Sequence, residues 1–259
     1  MIKKTGLLAG LALGCVLTNS AAFAEEYRGF YFGVWGGSGD MEYRSKANAD
    51  AFFSRRLAIE LPLVPIRPGT NLAATPLTST LDDSLTPWGA QVGYRFNKWV
   101  AAELGYVDLG ELLYTLSGSI SGPYRYIDDK GQDVTRQLNG NFQRSQQITS
   151  TGVTGSVLGM LPLGPHFDLH VRGGIYYADT RVTDRLRYID GGSQGDVFNL
   201  LHRRVDASQT ELFGGLGAAW NINQSFALRV EYQRFFDVGD DEKNGEGDVD
   251  VINLSVLFK

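Results

Sequence analysis

Residues 226–235 read FALRVEYQRF. Phe226, Leu228, Val230 and Tyr232 alternate with Ala227, Arg229, Glu231 and Gln233. A period of two marks a strand. In a half-solvated sheet the apolar row packs on the core and the polar row meets water. Here the apolar row is large and aromatic, and the polar row carries Arg beside Glu. The fold turns on which row is inside.

The N-terminus narrows the choice. Lys3 and Lys4 precede an apolar run from Gly6 to Leu17, and Ala22-Phe23-Ala24 follows. This is the n-region, h-region and small-residue cleavage pattern of an export signal. The expected organisation is a cleaved signal over residues 1–24 and one domain over 25–259. The apolar run is too short for a helical span of ~20 residues, and no other run comes close. Cys15 is the only cysteine, so the exported part should have none, which excludes a disulfide scaffold and thiolate metal sites. Loss of Lys3 and Lys4 takes the formal charge from −5 to −7. That acidity argues against nucleic acid as a partner.

Eight stretches alternate like the opening one. They begin near Phe30, Pro87, Val100, Thr149, Phe167, Ser208, Phe226 and Asp248. Short and long connections follow one another strictly. Asn97-Lys98, Leu163 to His166 and Asn223-Gln224 are tight turns. The intervening connections have about 40, 30, 20 and 10 residues. This rhythm fits an eight-stranded antiparallel transmembrane β-barrel, with short periplasmic turns and long extracellular loops. Phe30, Phe32, Phe96, Trp99, Phe167, Trp220, Phe226 and Phe258 gather by the short turns, as expected of an aromatic girdle.

The faces follow. A spanning sheet must close, because lipid leaves no partner for an edge. The apolar row of 226–235 then faces lipid, and Arg229, Glu231 and Gln233 face the lumen. The same rule turns Arg95, Glu103, Asp168, His170 and Arg172 inward. It turns Val92, Leu104, Val171, Leu254 and their row neighbours outward. The fourth stretch is too rich in glycine and serine for its faces to be assigned. Eight strands leave an interior about filled by side chains, so Glu103, Arg229, Glu231, Arg172 and Arg95 are the candidate lumen ion-pair network. It reads either as a structural polar core or as a gate whose pairs exchange to pass ions.

GYRFNKWVAAELGYVDLG (93–110) and FALRVEYQRF resemble the second hairpin and seventh strand of OmpA-type outer-membrane barrels. The resemblance implies that Glu103 and Arg229 are that family's lumen pair, with Glu231 on the same row. The chain ends after its eighth strand, so the peptidoglycan-binding domain of full-length OmpA-type proteins is not expected.

Other chemistry is faint. His166, His170 and His202 show no metal-binding spacing, and no catalytic motif stands out, so neither an enzyme nor a cofactor or metal is expected. Residues 237–250 hold seven acids and one lysine. They read as a solvated acidic loop in preference to a calcium loop, since no glutamate stands at the loop's closing position. Phe52 to Leu61 suggest a short helix followed by extended chain, inside the first long loop. The functional expectation is a small porin-like or structural surface protein of the cell outer membrane. The alternative is an adhesin or host-interaction protein working through its loops. The expected partners are outer-membrane lipid and lipopolysaccharide, ions or small solutes, and, during biogenesis, the barrel-assembly machinery and periplasmic chaperones.

Overall fold

The computed structural model describes residues 28–42, 50, 72–128, 130–190, 197–240 and 245–259. The expected signal, the helix over 52–61 and the candidate calcium ligands around 242 lie outside them.

Ten strands follow one another: β1 (Gly29–Glu42), β2 (Ala73–Asp82), β3 (Ser84–Leu85), β4 (Trp88–Arg95), β5 (Val100–Ile127), β6 (Asp133–Pro162), β7 (Phe167–Asp190), β8 (Val197–Asn221), β9 (Phe226–Asp240) and β10 (Gly245–Phe258). Eight form a closed antiparallel ring, β1-β4-β5-β6-β7-β8-β9-β10, sealed by β10 on β1 from Phe32↔Phe258 to Glu42↔Asp248. The two extra strands belong to the first long connection. β2 pairs with β5, and β3 pairs with β1. At one end the turns are four residues long and locally specified. Asn97 Oδ1 accepts from the Trp99 and Val100 N–H groups at 2.7 and 3.0 Å, and Asn223 Oδ1 accepts from Ser225 and Phe226 at 2.8 Å. A side chain that bonds the backbone two residues on is why Asn stands at such turns.

Around these turns the faces are as the alternation predicts. Val230, Leu254, Ile252, Leu104 and Val171 are more than half exposed, and in a barrel that exposure faces lipid. Phe32 stacks on Phe258 at 4.7 Å, Phe226 meets Phe258 at 5.2 Å, and Phe167 stacks on Trp220 at 6.3 Å. These pairs form the girdle beside the short turns. Leu254→Arg places a charge against hydrocarbon and is expected to cost ~2–4 kcal/mol near the midplane. Ala227→Ser, which faces the lumen, should be mild. Urea unfolding followed by electrophoretic mobility checks the contrast.

Two features depart from the expectation. Among the described residues, the long connections are mostly strand. Of about 30 loop residues predicted between the third and fourth stretches, all but residues 128–132 lie in β5 and β6. The described residues of the acidic segment 237–250 likewise lie in β9 and β10, which pair up to Gly245↔Asp240. A barrel strand needs ~9–11 residues to cross the membrane, yet β5 has 28 and β6 has 30. Their outer parts rise beyond the lipid as a five-stranded sheet, β2-β5-β6-β7-β8. β8 leaves β9 above Phe213↔Phe235.

The second departure is the sense of the alternation. Where the strands leave the lipid, the apolar row switches inward. On β9 the inward residue after Gln233 is Phe235, 0 % exposed, while Arg234 points out. On β5 a bulge between Asp108 and Glu111 brings Leu109 and Leu112 inward, followed by Tyr114 and Leu116. Below the interface the outside solvent is hydrocarbon, above it water, so the buried row changes character.

Candidate functional site

The lumen is layered along its axis. At the turn end, Arg95 binds Asp168 through Nη1 and Nη2 at 3.2 and 3.4 Å. It also caps the β4–β5 turn through the Asn97 and Lys98 carbonyls. Asn221 Nδ2 donates to Asp168 at 2.9 Å, and the Lys259 ammonium donates to Asn221.

Above this layer lies a four-membered ion ring that spans the barrel. Glu103 on β5 accepts from Arg229 Nη1 on β9 at 2.8 Å and faces Arg172 Nη2 on β7 at 2.6 Å. The Tyr31 hydroxyl donates to the same carboxylate at 2.5 Å. Glu231 faces Arg172 Nε at 2.6 Å and Arg229 Nε at 3.9 Å. Each guanidinium therefore bridges both carboxylates. The side chains of Glu103, Arg229 and Glu231 are at most 3 % exposed. Two positive and two negative charges cancel within the ring, which is the condition for holding them away from water. His170 Nε2 stands 3.6 Å from Glu231. A cavity of about 30 Å³ between the two layers is lined by Tyr31, Arg95, Asp168, His170, Arg229 and Lys259 among others.

Of the five sequence candidates, Glu103, Arg229, Glu231 and Arg172 come together. Arg95 does not. It sits one inward residue closer to the turn on β4, opposite Ala101, where Gly93 stands opposite Glu103, and its charge is taken up by Asp168. Tyr31 was missed, although its inward parity and polar tip were readable on β1.

The third layer had no counterpart in the sequence reading. Trp35, Val107, Leu109, Leu112, Ile148, Tyr176, Phe213, Phe235, Val249 and Val251 form one buried apolar cluster across the lumen, on the far side of the ion ring from the turns. Every ring strand except β4 contributes a residue. Phe213 stacks on Phe235 at 5.0 Å, and Tyr176 meets Phe235 edge-on at 5.2 Å. β4 contributes Gly89, over which Trp35 lies. A Cβ there would stand 2.6 Å from the indole, and one on Gly174 would stand 2.6 Å from the Phe213 ring. Inward glycines thus make room for the rings that close the barrel. Ring over cross-strand glycine is a known way to keep such a glycine from weakening a sheet.

Higher still, Arg144 binds Asp184, with Nε to Oδ1 at 3.0 Å. Ser150 shares hydrogen bonds with Tyr176 and Thr180 at 3.1 Å. A second apolar cluster of Leu72, Tyr114, Leu116, Ile120, Leu138, Phe142, Leu186 and Tyr188 fills the inner face of the extension. Tyr114 donates to Asp50 at 2.7 Å, and burial together with that carboxylate raises its phenol above the ordinary value.

Outside the lumen, Arg234 binds Asp248 Oδ2 at 2.6 Å and Asp250 at 3.3 Å. Hydrogen bonds from Arg234 and the Asp237 N–H hold the Asp248 carboxyl below its usual value. Among the described residues no group of three His, Cys, Asp or Glu side chains is placed to hold a metal ion.

A family model described as OmpA-like transmembrane domain matches residues 29–259. No curated protein sequence matches the chain. Among solved structures the chain is similar to Neisserial surface protein A, at 9 % identity over 89 % of this chain and 96 % of that one, with a TM-score of 0.43. It is similar to Ail, the attachment invasion locus protein of Yersinia pestis, at 10 % identity over 90 % and 99 %, with a TM-score of 0.42. OprG from Pseudomonas aeruginosa is 13 % identical over 90 % and 96 %, with a TM-score of 0.33.

Proposed function

Since the chain belongs to the OmpA-like transmembrane domain family and is an outer-membrane β-barrel, we propose that it is a closed, non-enzymatic structural surface protein. Its membrane part anchors and its extracellular sheet works. The apolar cluster carries this reading. A path entering from the turns would meet the ion ring and then the packed layer of Phe213, Phe235, Tyr176 and Trp35. Ions cross such a constriction only if it is wetted, and a packed aromatic layer holds no water column. The ion ring is then a structural polar core under the plug, and porin-like conduction requires the plug to part.

The adhesive reading is the second, and the extension favours it. β5 and β6 lift a five-stranded sheet well past the lipid, with a core of its own beneath. A barrel built only to seal a hole in the membrane has no use for that height.

The orientation is tested by epitope tags inserted singly in intact cells. Tags in the connections around Asp129, Gly192 and Asn244 should be reached by antibody from outside. Tags at Asn97 and Asn223 should be reached only after the membrane is opened. Surface labelling at Asn97 or Asn223 would overturn the reading.

A further inference from the structure

The charge on the outside of the extension is not evenly spread. β7 leaves the lipid band at Tyr177, and its next outward residues are Asp179, Arg181, Thr183, Arg185 and Arg187. Residues paired directly across two strands share a face. The register places Ser208 opposite Asp179, Asp206 opposite Arg181, Arg204 opposite Thr183 and His202 opposite Arg185. Four arginines and a histidine therefore share one strip with two aspartates. Asp179 accepts from the Ser208 hydroxyl. Asp206 accepts from Arg181 Nε at 2.8 Å and from Arg204 Nε at 3.0 Å, and these bonds hold its carboxyl below the usual value. Among the described residues Arg185 and Arg187 have no acidic partner, and Arg185 Nε is buried without a hydrogen bond. The strip keeps a surplus of two positive charges in a chain whose formal charge is −5. The flanking column on β6, Gln143, Ser145, Gln147 and Thr149, adds neutral hydrogen-bonding groups on the same face. Elsewhere on the outer rim the exposed charges are mostly acidic, among them Asp40, Asp82, Asp83, Glu111 and Asp237.

We propose that this strip on β7 and β8 binds the phosphorylated sugars of lipopolysaccharide in the leaflet that surrounds the barrel. Three observations favour that ligand. Guanidinium groups match phosphate oxygens two at a time, and the amide and hydroxyl column beside them matches sugar hydroxyls. The β7 arginines of the strip, Arg181 to Arg187, lie four to ten residues beyond Tyr177. At ~3.3 Å per residue and a tilt of ~40°, this part of the strip covers roughly 10–25 Å above the hydrocarbon, the height of a sugar–phosphate layer. It also faces sideways into that layer, where the leaflet's own lipids are the neighbours at high local concentration, and not upward toward soluble glycans. The assignment rests on the outward orientation proposed above. The assay below does not depend on that orientation, so the two can fail separately.

The test uses the full refolded chain in detergent micelles, titrated with purified lipopolysaccharide and read by tryptophan fluorescence. Arg185→Gln/Arg187→Gln/Arg204→Gln should weaken binding by about tenfold or more, since each basic group near an anionic lipid surface contributes measurably. Arg185→Gln/Arg187→Gln, which touches no described ion pair, should weaken it by less. Heat-modified electrophoretic mobility verifies that both variants fold. Lipopolysaccharide stripped of phosphate should bind wild type as weakly as the intact lipid binds the triple variant. Equal affinity of wild type and both variants would overturn the proposal, as would indifference to phosphate removal. Full displacement by heparin at matched charge would also overturn it, by assigning the strip to soluble glycans.

Discussion

Glu103→Ala is expected to lower the unfolding free energy by about 3–5 kcal/mol, the usual cost of stranding a buried charge, without opening a path through the membrane. Arg229 and Arg172 would then share the single carboxylate of Glu231, leaving one uncompensated positive charge inside. Tyr31 would lose its acceptor as well. The double change Glu103→Ala/Arg229→Ala removes one charge of each sign. It leaves Arg172 bound to Glu231 through Nε at 2.6 Å and Nη2 at 3.1 Å, so it should recover most of the lost stability. Urea titrations of wild type, Glu103→Ala, Arg229→Ala and the double variant separate coupling from simple addition. A double variant no more stable than the single would mean that the ring is not a unit. Conductance above background in Glu103→Ala would mean that the ring, and not the aromatic layer, shuts the barrel.

The second large effect is expected in that layer. Phe235 is 0 % exposed and touches both Phe213 and Tyr176. Phe235→Ala should cost about 3–5 kcal/mol, the transfer and cavity cost of a buried aromatic. Its neighbours remain, so the single variant should stay closed. Phe213→Ala/Phe235→Ala removes the stacked pair and opens the layer between β8 and β9, which leaves the ion ring as the next barrier beneath it. Brief openings are expected from this double variant, and Glu103→Ala added to it should lengthen them. The ring would act as a gate only once the plug is gone. A double variant as silent as wild type would place the closure elsewhere.

How much of this was legible in the sequence follows from where the outside solvent changes. Between the turns and Tyr106, Tyr177 or Tyr232, the strands face hydrocarbon on one side, and a large apolar row against a charged row is unambiguous. The ring closure, the lipid face, the girdle and the inward parity of Glu103, Arg229, Glu231, Arg172 and Arg95 were readable there. Past those tyrosines the contrast inverts, and the inversion hides the strand. In GYVDLGELLY (105–114) the bulge between Asp108 and Glu111 shifts the parity, so Leu112 and Tyr114 do not continue the row of Val107 and Leu109. In QLNGNFQRSQQIT (137–149) the outward positions are Asn, Gln and Ser, and the inward ones include Gly140, Arg144 and Gln146. Buried and exposed residues there look alike, so the segment reads as loop. The phase slip at Asp108 was the available signal. The plug was hidden differently. Its members are single aromatics on separate strands, and their spacing to the glycines they cover, such as Trp35 to Gly89 or Phe213 to Gly174, exists only across the sheet. Glycine usage in this chain records ring positions on neighbouring strands, which no one-dimensional pattern displays.

Planar-bilayer conductance of the refolded full chain measures directly whether the lumen of the wild-type protein is shut. With insertion confirmed by protease protection, the current across the bilayer should stay at its protein-free level at every voltage the membrane tolerates. Steady, step-like openings of the wild-type protein would contradict the account, because they would require a continuous water path through Trp35, Tyr176, Phe213 and Phe235.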